Sequence, residues 1–255
     1  SPPSITLEGS NPMTIEVGDT YSEPGAFAFD PDDGSLGDTS DSPSQISIDG
    51  SVDTSTVATY FIQYSVSDSD GNITQVQRTV NVVDTTKPIL AITNTSTTVE
   101  VFESYNDEGG VTASDNYDGD ITQDITTTSN VNTSIVGTYT VEFNVTDSSG
   151  NAAIPVTRTV NVIDTQVPAI SLLGNSSLYI EQGSTYNDDG ATATDNYDGD
   201  ISSSIVTTNS VNTSTIGSYS VTYNVSDSSG NAAAEVSRTV NVGPDVNAGS
   251  DITVC

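Results

Sequence analysis

Two copies of the hexapeptide DNYDGD, Asp115 to Asp120 and Asp195 to Asp200, each put three carboxylates into six residues, and they lie 80 residues apart. Clustered carboxylates do two kinds of chemistry. They share protons across a bond-cleaving pair, as in glycosidases, or they supply hard oxygen ligands to a cation. The first is set aside: the chain has no His, its single Cys, Cys255, lies outside the repeated stretches, and a catalytic site has no reason to be copied along one chain. We read the chain as no enzyme.

The charge balance points the same way. Against 35 Asp and Glu stand 4 Lys and Arg in 255 residues, a formal charge of −31. Nucleic acid is excluded as a natural partner, because neutralising phosphates needs clustered Lys and Arg, and anionic membrane surfaces fail for the same reason. Such a surface suits solubility in salt and affinity for cations. No apolar run approaches the roughly 18 to 20 residues of a bilayer span, so direct membrane insertion is not expected. Ser1 begins without a charged-then-apolar leader, and the chain reads as a processed or excised piece of something longer.

Internal repetition sets the organisation. VVDTTKPILAI from Val82 matches VIDTQVPAISL from Val162, NVTDSSGNAA from Asn144 matches NVSDSSGNAA from Asn224, and RTVNV recurs from Arg78, Arg158 and Arg238. Three copies follow, at 1–83, 84–163 and 164–243. The first diverges. It carries about six additional residues between Gly34 and Val52, its acidic loop reads DPDDGS, and its counterpart of DSSGN lies in SVSDSDGN from Ser65. Residues 244–255 break the pattern and read as the start of a further module or a C-terminal strand.

The elements that must position the carboxylates are strands. GTYTVEFNVTD alternates, with Tyr139, Val141, Phe143 and Val145 on one face and Thr140, Glu142, Asn144 and Thr146 on the other, the pattern of a half-buried antiparallel strand. Thr, Val, Ile and Tyr fill the periodic segments, and Gly, Asn, Asp and Ser fill the breaks. Several short strands in 80 residues predict a small β-sandwich. Tyr60, Tyr139 and Tyr219 open the long penultimate strand, either as tyrosine corners or as core aromatics.

The order DTxxP, Y-x-[DE]-x-G, D-N-x-D-G-D, N-T-S-x-x-G-[TS]-Y, V-[TS]-D-S-S-G-N and R-T-V-N-V resembles bacterial surface immunoglobulin-like repeats. That type also occurs in insecticidal crystal proteins and is similar in layout to the hyalin-type repeat. The resemblance covers roughly residues 4 to 243 and is most specific in copies two and three; in copy one Ser35 stands where Asp120 does, and Ala58 where Gly137 does. It implies an all-β fold of tandem immunoglobulin-like β-sandwiches in a rod-like array, used outside the cell or at its surface as a spacer or adhesive stalk.

Strand alternation then places the acidic loops. DNYDGD joins the second and third strands, DSSGN follows the penultimate strand, and the linker Asp arrives from the preceding module. Five carboxylates are expected to converge in copy two, Asp84, Asp115, Asp118, Asp120 and Asp147, and five in copy three, Asp164, Asp195, Asp198, Asp200 and Asp227. Copy one offers Asp30, Asp33 and Asp68. Calcium is the expected ion, since it takes six to eight oxygens in tolerant geometry, whereas zinc wants His or Cys. The spacing is not that of an EF-hand. Pro88 and Pro168 already restrict the linkers, and an ion shared between linker and loops would stiffen them further.

Arg78, Arg158 and Arg238 occupy one recurrent place and predict a structural carboxylate pairing in each copy. Lys87 is the only Lys, so a Lys-to-Asn isopeptide cannot recur. Seven N-x-S/T sequons, including Asn144 and Asn224, are expected from composition alone. The favoured function is a calcium-stiffened extracellular stalk; assembly with other copies in a filament or surface layer through strand donation is a variant of it that the sequence neither requires nor excludes. The alternative is a module that binds glycan or a cell-surface protein. No copy announces an aromatic platform, and Tyr117 and Tyr197 are its candidates.

Overall fold

The computed structural model describes residues 1–41, 45–107 and 109–244. The first copy forms β1 (Ser4–Leu7), β2 (Met13–Glu16), β3 (Ala26–Asp30), β4 (Gly34–Asp38), β5 (Ser47–Asp49), β6 (Ala58–Ser67) and β7 (Ile73–Val83). The second forms β8 (Ile89–Ile92), β9 (Ser96–Glu100), β10 (Val111–Asp115), β11 (Gly119–Asp120), β12 (Thr126–Ser129), β13 (Gly137–Asn144) and β14 (Val156–Ile163). The third forms β15 (Ala169–Leu172), β16 (Ser177–Glu181), β17 (Ala191–Asp195), β18 (Gly199–Asp200), β19 (Val206–Asn209), β20 (Gly217–Asn224) and β21 (Val236–Gly243). Of 244–255, assigned above to a further module, residues 245–255 lie outside the described residues.

Each copy makes a three-stranded and a four-stranded sheet: β1-β3-β4 with β2-β7-β6-β5, β8-β10-β11 with β9-β14-β13-β12, and β15-β17-β18 with β16-β21-β20-β19. The chain is therefore all-β, a series of immunoglobulin-like sandwiches, as expected. One strand per copy is additional to the sequence reading: β2, β9 and β16 come between the first strand and the strand leading into the acidic loop, and pair in parallel with β7, β14 and β21.

By contacts the chain forms two compact units: Ser1–Thr95, Glu108–Ser129 and Val141–Arg158 make one, and Ser96–Asp107, Asn130–Thr140 and the chain from Thr159 make the other. In the first, Ala26, Ala28, Leu36, Ile46, Ile62, Tyr64 and Val66 form one core and Ala113, Ile121, Val145 and Ala153 another. In the second, Val221, Tyr223 and Val240 pack with Ile170, Leu172 and Ile180. The predicted inward face of β13 is buried at Val141 and Phe143, and burial continues at Val145 just beyond the strand.

The recurrent arginines are buried and clasp loops to the core. Arg78 Nε donates to Glu23 at 3.2 Å and to the Tyr64 hydroxyl at 3.1 Å, and its terminal nitrogens reach the carbonyls of Ser10, Glu8 and Gly25. Arg238 pairs with Asp188 and donates to the Asn175 carbonyl at 3.0 Å. Arg158 donates to the carbonyls of Asn94 and Gly109 and lies 5.5 Å from the Phe143 ring centroid. The three tyrosines of the penultimate strand are corners and not core aromatics: half-buried Tyr60, Tyr139 and Tyr219 donate to the carbonyls of Thr56, Ile135 and Thr215, four residues upstream, at 3.1, 2.8 and 2.9 Å.

Candidate metal centres at the repeat junctions

β10 ends on Asp115, and the loop after it turns because Asp115 Oδ1 accepts the N–H groups of Tyr117 and Asp118 at 2.8 and 3.1 Å, an Asx turn. One carboxylate oxygen is thereby consumed by loop geometry. The other, Oδ2, is buried and makes no hydrogen bond. Asp84 arrives from the linker, 6% exposed; its Oδ1 accepts the Thr86 N–H at 3.2 Å, and its Oδ2 is also buried without a hydrogen bond. Carboxylate oxygens of Asp84, Asp115 and Asp118 lie within 4.8 Å of one another. Asp118 in turn accepts Ser148 N–H and Oγ at 2.7 and 2.6 Å, which fixes the DSSGN loop beside it.

Asp147 stands behind this group. It accepts both the N–H and the side-chain amide of Asn151, at 2.6 and 2.8 Å, and the same amide donates to the Asp84 carbonyl at 3.1 Å. Asp120 does not join: exposed, it accepts the Thr122 N–H at 3.0 Å.

The second junction repeats the plan. Asp195 Oδ1 accepts Tyr197 and Asp198 N–H at 2.9 and 3.0 Å, Asp164 Oδ1 accepts Gln166 N–H at 3.2 Å, and the Oδ2 atoms of both are buried without hydrogen bonds. Here the third member is Asp227, with Asp164 and Asp195, within 4.8 Å. Asp198 accepts Ser228 N–H and Oγ, and Asp200 turns outward to Ser202. Asn231 ties Asp227 to the Asp164 carbonyl at 3.1 Å.

Copy one keeps part of the set. Asp30 is fully buried, its Oδ1 accepts Asp32 and Asp33 N–H, and its Oδ2 makes no hydrogen bond. Asp33 holds Ser69 and Asp68 holds Asn72, as Asp118 holds Ser148 and Asp147 holds Asn151. Among the described residues these three do not gather into a group of three close carboxylates.

The electrostatics follow from burial without a cation. Two unit charges at about 4 Å repel by about 4 kcal/mol at an effective dielectric of 20. Burial first, then the charges of Asp115 and Asp147, raise the pKa of Asp84. Asp118 goes the other way, held low by the Ser148 hydroxyl and N–H. Burial pushes Asp227 up, but the Asn231 amide and N–H outweigh it and hold the group low. The donor set is all oxygen, which fits a hard divalent ion in tolerant geometry.

Sequence reasoning missed two further junction elements. Glu16, at the end of β2, accepts the N–H and Oγ of both Thr85 and Thr86 at 2.8 to 3.1 Å, and Glu100 accepts those of Thr165 at 2.8 and 2.9 Å. The recurrence of an aliphatic residue followed by Glu at Ile15-Glu16, Val99-Glu100 and Ile180-Glu181 was the available signal. Tyr117 and Tyr197, the candidates of the glycan-binding alternative, meet the preceding copy, accepting the N–H groups of Val57 and Val136.

The profile of the family described as "Bacterial surface protein, Ig-like domain" matches residues 5–82, 92–162 and 170–242. The chain is 32% identical over 243 residues to the pesticidal crystal protein Cry22Aa of Bacillus thuringiensis, covering 89% of this chain and 32% of that protein. It is 32% identical over 260 residues to hyalin of Strongylocentrotus purpuratus, covering 95% and 21%. The chain thus spans a third or less of the length of these curated relatives. Among solved structures, the protocadherin gammaB4 extracellular domain aligns over 95% of this chain and 51% of its own at 11% identity, with a TM-score of 0.35.

Proposed function

Because the chain belongs to the family of bacterial surface protein Ig-like domains, we propose that it is an extracellular spacer or adhesive stalk whose repeat junctions are stiffened by calcium. The observation that carries this reading is the pair of buried, hydrogen-bond-free carboxylate oxygens at each junction, Asp84 with Asp115 and Asp164 with Asp195. In each pair one carboxylate belongs to the linker and the other to the loop of the following copy. Asp84, Asp115 and Asp118 would hold one ion and Asp164, Asp195 and Asp227 another, with Asp147 and Asp198 ordering the loops around them. The ion supplies positive charge where the chain has only negative, and the linker is thereby joined to the loop. The repeating unit is 84–163 or 164–243, each with its leading linker, and other copies in a filament or surface layer are the proposed partners. Among the described residues no helix is long and apolar enough to cross a membrane.

Extracellular modules bind calcium with dissociation constants of about 10⁻⁴ to 10⁻³ M, and at 100 times that constant one ion adds about 2.7 kcal/mol to the folded state. Calorimetry of the chain during calcium titration tests the reading. The melting temperature should rise and saturate across roughly that range, with scattering profiles losing their flexible character, and Asp115→Asn with Asp195→Asn should abolish both responses. A melting temperature that stays flat to about 10 mM, ten times the weakest affinity expected, would refute it.

A further inference from the structure

Copy one carries a face that the other copies lack. β3 reads AFAFD: Ala26 and Ala28 are fully buried, while Phe27 and Phe29 are 40% and 45% exposed. The corresponding strands read VTASD and ATATD, so Thr112 and Ser114, or Thr192 and Thr194, stand in those outward places. Full burial of a Phe side chain is worth about 1.5 to 3 kcal/mol, and these two rings, still 40% and 45% exposed, forgo roughly half of that or less.

The divergent insertion builds the surface around them. β4 spans Gly34–Asp38, where its counterparts β11 and β18 have two residues each, and it pairs with β3 through a register shift between Ala28 and Phe29. Directly opposed residues share a face, so Thr6 and Asp38 flank Phe27, and Ser4 and Ser35 flank Phe29. At the Phe27 end lies a cleft lined by Glu8, Asp38, Thr39 and Ser40.

We propose that this face binds a neutral polysaccharide. The rings, on residues whose backbone positions along one strand lie about 6.6 Å apart, stack on the C–H faces of adjoining sugars. The carboxylates of Asp38 and Glu8, which only accept hydrogen bonds, take their hydroxyl protons. A ligand for this surface must combine an apolar face with hydrogen-bond donors and carry no negative charge. An uncharged sugar chain has all three properties, whereas a second copy docked on this face would set further carboxylates against Asp38 and Glu8. This surface is remote in chemistry from the acidic junctions, and the proposal does not rest on calcium there.

The test is depletion of the full chain by microcrystalline cellulose, chitin and mannan, with alginate and oligolysine as charged comparisons. Binding to at least one neutral polymer is expected, weakened at least about tenfold by Phe27→Ala with Phe29→Ala at a temperature where that variant is still fully folded. Binding should persist in Phe27→Trp with Phe29→Trp and fall in Phe27→Leu with Phe29→Leu, which keeps the apolar area but removes the rings. Four results overturn the proposal: no depletion by any neutral polymer, undiminished binding by the Leu variant, capture by oligolysine alone, or self-association in sedimentation that the Ala variant abolishes.

Discussion

The Tyr117 hydroxyl accepts a hydrogen bond from the Val57 backbone N–H at 3.4 Å, and the Tyr197 hydroxyl accepts one from the Val136 N–H at 3.3 Å. Each bond links the acidic loop of one copy to the loop before the long penultimate strand of the copy preceding it. It uses no charge and no cation, so it acts alongside the glutamate grip on the linker.

Tyr117→Phe isolates this strut, since it removes the acceptor and keeps the ring. One net hydrogen bond contributes about 1 kcal/mol, so the Val57 amide should exchange its proton about fivefold faster. Hydrogen exchange read by NMR gives the answer, and an unchanged Val57 rate would mean that the tyrosine merely fills space.

Phe102 presents a second contrast. Its φ is +67°, in the place where Gly18 and Gly183 have +85°, and all three donate their N–H to a threonine carbonyl at 2.8 Å. A side chain there costs about 1 to 2 kcal/mol. The ring lies 6.2 Å from that of Tyr197, a contact that returns about 0.5 to 1.5 kcal/mol. Phe102→Gly should therefore be close to neutral, whereas Phe102→Ala keeps the strain, loses the ring and should destabilise by about 1 kcal/mol. Urea unfolding that ranks Ala above Gly would show that the backbone here is unstrained.

Tyr105 should tolerate loss of its hydroxyl better than its counterparts. Tyr21 donates to Glu23 and Tyr186 to Asp188, whereas the Tyr105 hydroxyl is buried without a hydrogen bond. Copy two has an additional glycine in the Gly109-Gly110 pair and Phe143 in place of Tyr64 or Tyr223, so the polar cluster is rebuilt. Removing an unsatisfied buried hydroxyl recovers about 1 kcal/mol: Tyr105→Phe should raise the melting temperature and Tyr186→Phe should lower it. Equal losses in both would show that Tyr105 is satisfied in solution.

These particulars show what the sequence could disclose. The burial of Val141 and Phe143 was legible because polar and apolar residues alternate there. β9 was not, since STTVE has no apolar period and its partner β14 lies some 60 residues on. Phe27 and Phe29 were hidden for a different reason: AFAFD is apolar at every position before its Asp, so alternation cannot say which set faces inward. Recurrence exposed Asp84 and Asp115, but that Asp120 turns to Thr122 depends on the local turn.

The Glu23 cluster predicts stability on both flanks of pH. Burial pushes Glu23 up, but the Tyr21 and Tyr64 hydroxyls, the Gly25 N–H and Arg78 outweigh it and hold the carboxyl low. Its contribution is complete above the ordinary value of about 4.3 and is lost as pH falls through the lower folded value. Tyr64 is pushed up to about 12, by burial first and then by Glu23; its contribution is complete below about 10 and is lost as pH rises towards the folded value. Glu23→Gln should cost about 3 kcal/mol near neutrality, because it leaves Arg78 buried without its charge partner, and the gap from the parent should shrink in acid. A gap that stays constant down to pH about 3, well below the ordinary carboxylate value, would assign the acid limb to other groups.

Asp84→Asn separates repulsion from ligation by sign. Without a divalent ion the charge of Asp84 faces those of Asp115 and Asp147, and burial has already raised its pKa; neutralising it should therefore stabilise the chain. With calcium at saturation the same change removes a ligand and should forfeit most of the about 2.7 kcal/mol that the ion adds. The two melting curves should therefore cross as calcium is raised. Ordinary acidic turns would show the stabilisation at every calcium concentration, and a structurally required carboxylate would show a loss at every one. Only a site that linker and loop share changes sign.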